Sequence, residues 1–327
     1  MPAPTEQREP KPIFWIRLSG DVAAKTKPAA HDRFTDLSGR LEIQMKVVSE
    51  YLYVGSGEFG LFGPQGGEQA YHTFARRNGQ LIIPATSIKG AVRSIVEAIS
   101  NSCVRLAARG ERVPRSYEGC KDTEHLCPAC RLFGTTGYRG RVHFSDAIPV
   151  DHVKPAIIKI ADLWPPRLAK GRKFYEAKAF QPQDTRPEKS HRFIEVVPKG
   201  SQFSCTLHFE NVAVAEMGLV MRALGFALSS QDPDKIVRAF PVKIGGAKPR
   251  CLGAVQMTPR HLYLIPAGPQ FLSALQAGGV ASEDIQNALK EWLAASEDGL
   301  LDAEAWDDFR KKARPRDDTE LCPKEVY

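Results

Sequence analysis

The stretch Ile82–Ile99 (IIPATSIKGAVRSIVEAI) places a short apolar run, a proline and a hydroxyl pair ahead of Ile88, Val92, Ile95, Val96 and Ile99, which recur at helical spacing. A helix with a single apolar stripe must lie against a core, so the rest of the chain has to supply a surface for it. Thr86 or Ser87 is placed to cap this helix. Lys89 and Arg93 share a face one turn apart, and Gly90 between them allows another chain to approach closely. Free backbone amides, the positive dipole end and two cations together suit a phosphate. The same residues also read as an ordinary capped helix with a solvated cationic edge.

The surface comes from strands on either side. Leu41, Ile43, Met45 and Val47 alternate with Glu42, Gln44 and Lys46, the pattern of a strand with one buried face. RVHFSDAI at Arg141–Ile148 resembles a strand, and Phe203, Cys205, Leu207 and Phe209 alternate with polar residues in another. Met217, Val220, Met221, Leu224 and Leu228 mark a second helical stripe. Cys251, Leu252, Val255 and Met257 begin a last strand, continued through Leu262–Ile265. Strand, helix, strand, strand, helix, strand is the order of an α+β, ferredoxin-like sheet. Beyond Pro266 the stripe Ile285, Leu289, Trp292, Leu293 and the pair Trp306 and Phe309 predict helices, read as an appendage over 266–327. Residues 1–12 read as a mobile arm within an N-terminal segment 1–40. The glycine-rich run Val54–Gly67 predicts an irregular loop able to lie against a ligand.

With 43% hydrophobic and 25% charged residues, a chain of 327 residues can bury a substantial core. Its formal charge of +7 favours a polyanionic partner. No apolar run approaches the ~20 residues that span a bilayer, and the first residues lack a signal-peptide core, so the expectation is a cytoplasmic protein without a membrane partner. Seven cysteines are too few and too uneven for a disulfide scaffold, and Cys103, Cys205, Cys251 and Cys322 are scattered. The other three form Cys120-x6-Cys127-Pro-Ala-Cys130, with His125 two residues before the CxxC. Such a turn puts two thiolates on one metal. Cys120 and His125 complete a tetrahedral structural zinc set locally, with Cys103 as substitute fourth ligand; unrelated thiols or a redox pair are the other readings.

A second glycine-rich segment, KIGGAKPRCLG at Lys243–Gly253, combines Gly245 and Gly246 with Lys243, Lys248 and Arg250. Phosphate oxygens can there meet amides and cations together, although a structural turn between helix and strand has the same composition. No Gly-Lys-Ser/Thr follows, which argues against nucleotide hydrolysis. Residues 150–192 interleave Lys170, Arg172, Lys173, Lys178, Arg186, Lys189 and Arg192 with Trp164, Phe174, Tyr175 and Phe180, a composition suited to stacking on unpaired bases or to a solvated charged loop. Glu58, Glu68 and Asp146 are the acidic candidates near these segments, and no nucleophilic triad is readable.

IPATSIKGAVRSIVEAIS, CPACRLFG and KIGGAKPRCLG, in that order, resemble the RAMP superfamily of CRISPR-associated proteins, and within it the backbone subunits of type III effector complexes. The resemblance covers about 40–265 and implies an RNA-recognition-like RAMP domain over 41–265. It also implies a zinc-binding insertion at about 103–135 and a thumb-like insertion at about 150–192. Guide RNA, target RNA and other RAMP subunits are the implied partners. Ser87, Lys89 and Arg93 would then lie near the guide backbone, and Lys243–Gly253 would be the family's glycine-rich loop. Catalytic members carry an aspartate between the first strand and the first helix. This chain has none from Leu41 to Gly90, so Glu68 is the candidate for magnesium-assisted cleavage of target RNA. The alternative is a stand-alone ribonuclease that processes precursor CRISPR RNA, with His72 as base.

Overall fold

The computed structural model describes residues 11–18, 25–64, 68–104, 115–162, 171–266, 269–282 and 284–326. Most of the expected N-terminal arm, and Trp164 and Lys170 of the long insertion, lie outside these residues. The architecture is mixed α/β. Its principal elements, in chain order, are β1 (Ile13–Ile16), β2 (Leu37–Val47), β3 (Gly55–Phe62), β4 (Gln69–Phe74), α1 (Ala85–Ile99), α2 (Pro128–Phe133) and β5 (Val142–Phe144). They continue with β6 (Ala156–Ala161), β7 (Arg172–Tyr175), β8 (Lys178–Ala179), β9 (His191–Pro198), β10 (Gln202–Val212), α3 (Val214–Ala223), β11 (Val242–Lys243) and β12 (Ala254–Leu264). Helices α4 (Ile285–Ala295) and α5 (Ala303–Lys312) and strand β13 (Asp317–Leu321) follow.

The central sheet runs β5–β10–β2–β12–β11, antiparallel at every step. On β2 the alternation resolves into buried Leu41, Ile43, Met45 and Val47 against outward Glu42, Gln44 and Lys46. Helices α1 and α3 touch, and bring Ile88, Val92, Val96, Met217 and Val220 into one core with the inward residues of the sheet. A second sheet, β6–β9–β4–β3, stands beside it, with β4 and β9 parallel. Its smaller core of Ile160, Ile194 and Val196 is closed by Leu252 from the segment before β12. Strand β1 pairs with β7, where Phe14 stacks on Phe174 and both meet Phe309 of α5.

Several expectations need correction. Residues 55–62 form a strand, because the glycines fit a tyrosine-lined hairpin: a Cβ at Gly60 would overlap the Tyr71 ring. Neither Thr86 nor Ser87 caps α1. The first helical amide, Ala85 N, donates instead to Asp146 Oδ1 at 2.8 Å, a carboxylate held from its other oxygen by Arg77 at 2.6 Å. The second helix stops at Ala223 since Gly225, at φ 92°, turns the chain where any side chain would strike the Phe240 carbonyl. Leu228 therefore belongs to a strand. Cys251 and Cys322, scattered in the sequence, form a disulfide, and parallel pairing of β8 with β13 brings the second cysteine back to the first. Trp292, Leu293, Trp306 and Phe309 of α4 and α5 lie in the main core itself. Gly218 of α3 meets the Trp292 carbonyl so closely that no Cβ fits.

Candidate nucleic-acid interface and metal centre

The CPAC segment puts Cys127 at the N-terminus of α2 and Cys130 in its first turn. Cys120 approaches from the preceding loop and Cys103 from just beyond α1. The four sulfurs are buried and lie within 4.8 Å of one another, with Cys103 Sγ 3.6 Å from both Cys127 Sγ and Cys130 Sγ. A tetrahedron with Zn–S bonds of about 2.3 Å has edges of about 3.8 Å, so the spacing is compatible with a structural zinc and is far too long for disulfides. Cys127 N donates to Cys120 Sγ at 3.4 Å and Arg93 Nη2 reaches Cys130 Sγ at 3.6 Å, bonds that favour thiolates. The contact with Cys103 pulls Cys120 down to about 6. Contact with their sulfur neighbours pushes Cys103 and Cys130 up. Four such thiols cannot all lose protons unless a cation joins them. His125 is not in the set. Leu126 turns inward and bridges to Thr26, so the residue before it points out, and His125 Nδ1 pairs with exposed Asp122 at 2.7 Å.

The start of α1 and the glycine-rich segment meet across a cavity of about 410 Å³. Thr86, Ser87, Gly90 and Ser94 form one side; Lys243, Gly245, Gly246 and Lys248 form another. Lys173 and Tyr175 of β7 edge it, over a wall of Phe14, Phe174, Phe240 and Phe309. The loop holds its shape through Gly245, at φ 80°, where a Cβ would collide with the Tyr53 carbonyl, while Gly246 N donates to that same carbonyl at 2.8 Å. Lys243 Nζ braces it from inside by donating to the carbonyls of Cys251 and Leu252, both at 3.0 Å. Burial, reinforced by the charges of Lys248 and Arg316, pushes Lys243 down to about 7. Burial also lowers Lys248; Lys89, which does not line this cavity, is lowered by burial and by the charges of Arg93 and Arg139. Cations depressed by desolvation and by each other gain from an anion that enters among them.

Other predicted residues are differently engaged. Arg250 is buried and donates inward: Nε to Ala161 O at 2.8 Å, Nη1 to Pro323 O at 2.6 Å, and Nη2 to Asp162 O at 3.2 Å and Glu325 O at 2.7 Å. Arg93 is held by Glu97 at 2.7 Å and the Gly134 carbonyl at 2.9 Å. Both therefore brace the site. In the long insertion, Lys178, Arg186 and Arg192 are ion-paired, and buried Arg172 donates to the Ser102 carbonyl. Phe180 packs edge-on against Tyr51. Glu68 is exposed just before β4. Among the described residues it belongs to no group of three or more potential metal ligands, the four cysteines being the group found. His72 faces the Phe59 ring at 4.5 Å and is lowered by burial and by Arg192. Phe14, Phe240 and Phe309, which complete the cavity, carry no common motif because they come from three distant segments.

No helix among the described residues is long and apolar enough to cross a membrane. A family model of the RAMP superfamily matches residues 44–256. No curated protein matches the chain.

Proposed function

The chain belongs to the RAMP superfamily, and on that premise we propose that it is a guide-RNA-binding backbone subunit of a type III CRISPR effector complex, with the ferredoxin-like RAMP domain over 41–265. The observation that carries this reading is the shared cavity of Thr86, Ser87, Lys173, Lys243 and Lys248, in which two separately weak motifs make one cationic site. Phosphates and riboses engage there while bases stay free to pair, so recognition is largely independent of sequence. The four-cysteine site holds a structural zinc that braces the segment after α1, and part of 150–192 serves as the thumb. The test is binding of unrelated single-stranded RNA by the purified protein at several salt concentrations. Each phosphate contact contributes a slope of about −0.7. The variant Lys173→Glu/Lys248→Glu is expected to bind about tenfold more weakly with a shallower slope. Wild-type behaviour in that variant removes the assignment.

Cleavage of target RNA is a separate step of the proposal, with Glu68 as the carboxylate and magnesium as the metal. Periodic cuts in guide-matched RNA that stop in Glu68→Ala support it, and unchanged cutting dismisses that role. The second reading, a stand-alone ribonuclease acting on precursor RNA, draws on His72, whose burial beside Arg192 keeps its imidazole neutral and able to accept a proton. Normal processing by His72→Ala dismisses it.

A further inference from the structure

The central sheet has a face that its helices do not cover. Residues at alternate positions point there: Gln44 and Lys46 from β2, Ser204 and Thr206 from β10, Thr258 and Arg260 from β12. Arg40 joins them, lying 4.1 Å over the Tyr263 ring, with its Nε buried and without a hydrogen-bond partner. Exposed Arg238 reaches in from residues 236–238 to Thr258 Oγ1 at 2.8 Å and to the Met257 carbonyl. At the edge a groove of about 370 Å³ sets Lys199, Arg238 and Gln256 beside apolar Val48, Phe240 and Pro241, with Asp318 paired to Arg316.

Several cations of this face lack a counter-charge. Arg40, Lys46, Lys199, Arg238 and Arg260 make no ion pair among the described residues. Arg260 is directed onto Gln44, which bonds in turn to Gln202, so the basic groups are held in an amide lattice. The carboxylates nearby are Glu42, opposite His261 in the register, Glu210, taken by His31 at 3.3 Å and Arg139 at 3.5 Å, and Asp318 of the groove, taken by Arg316 at 2.6 Å. Arg238 is lowered by burial and by Arg260, and His208 by burial and by Arg40, as expected where positive charge lacks a counter-charge.

We infer that this open sheet face is a second nucleic-acid surface, separate from the α1 cavity, which takes the sugar–phosphate backbone of a single strand. Unpaired arginines and lysines spaced among glutamine, serine and threonine donors match phosphate and ribose oxygens. A protein partner would need an apolar centre to bury, and the alternate positions named above contain none. Tyr263 lies under Arg40, and the other rings at this face are the imidazoles of His208 and His261, so backbone contacts dominate and binding would be largely independent of sequence. Positions 40–46 of β2 span about 20 Å, room for several nucleotides. Phe240 lines both the cavity and the edge groove and lies between them, so a strand on one surface need not occupy the other.

Full-length protein carrying Lys46→Glu/Arg260→Glu tests this, since both side chains are exposed and circular dichroism and thermal melting should match wild type. With a fluorescein-labelled single-stranded RNA of unrelated sequence, affinity is expected to fall about tenfold and the salt slope to become shallower by about 1.4, the equivalent of two contacts. Combined with Lys173→Glu/Lys248→Glu, the losses should multiply, because each pair of substitutions removes its own contacts to the same RNA. A photo-reactive side chain at Thr206 should crosslink the RNA and should still do so when the cavity is altered. Unchanged affinity and slope in Lys46→Glu/Arg260→Glu overturn the inference. So does a face variant that binds RNA normally but loses an acidic protein partner. If only the cavity variant loses RNA, the guide-binding reading stands and this one falls; if only the face variant does, the reverse holds.

Discussion

Lys243 is the residue whose chemistry is most exposed to test. Its value of about 7 in the fold lies below the ordinary 10.5, so between those limits the unfolded chain holds a proton that the folded one has released. Stability therefore rises with pH through that window, and at pH 7 and below a charge is forced into the loop. Denaturant midpoints measured across it should climb in the wild type and climb less in Lys243→Met. An equal climb in both would move the effect to another group. The metal centre gives a second residue-level test. Zinc measured by atomic emission should stay near one ion per chain in His125→Ala and fall in Cys103→Ser. The CxxC was plain in the sequence as a metal turn. Its fourth member was not, because Cys103 is 17 residues before Cys120 and only the end of α1 swings it inward. Arg250 looked like a phosphate ligand for the same reason in reverse: a cation's partners are set by the tertiary fold, and its acceptors come from residues 161–162 and 323–325.

At the scale of elements, the strands and helices with strict periodicity were legible, β2 and α1 above all, because burial of one face imposes the period on the residue types. Their ends were less so. The cap of α1 comes from Asp146, 61 positions away, and no local pattern announces it. Asp146→Ala should cost about 1 kcal/mol in a urea titration, the usual loss for a missing cap, while Thr86→Ala should cost much less; the opposite ranking would return the cap to the hydroxyl. The β3–β4 hairpin was hidden by its glycines, which signal irregular chain when read singly. Here Gly60 makes room for the ring of Tyr71 across the strand pair. Strand β13 was missed for a plainer reason: DDTEL is charged and mostly exposed, so no apolar alternation marks it. Its pairing with β8 depends on where the chain is carried, and the disulfide beside it shows where that is.

For the whole molecule, the most consequential contact is the return of the chain to the glycine-rich loop. The Cys251–Cys322 bond closes 71 residues of sequence, enough for about 4 kcal/mol of stabilisation in the chain-entropy account. Cys322→Ser should lose stability on that scale without reductant and match the wild type with it; the same gap under both conditions would mean that packing, not the crosslink, is responsible. The cavity likewise draws its wall from Phe14 at one end of the sequence and Phe309 near the other, with α1 and the loop between. Arg250 takes two of its carbonyl acceptors, and Cys251 its sulfur partner, from residues 322–325. On the ribosome, the RAMP core can collapse as it emerges, yet this loop cannot be locked until those late residues have left the exit tunnel. A half-made chain thus lacks the finished loop, and the emergence of these late residues sets the moment at which the proposed RNA-binding loop is complete.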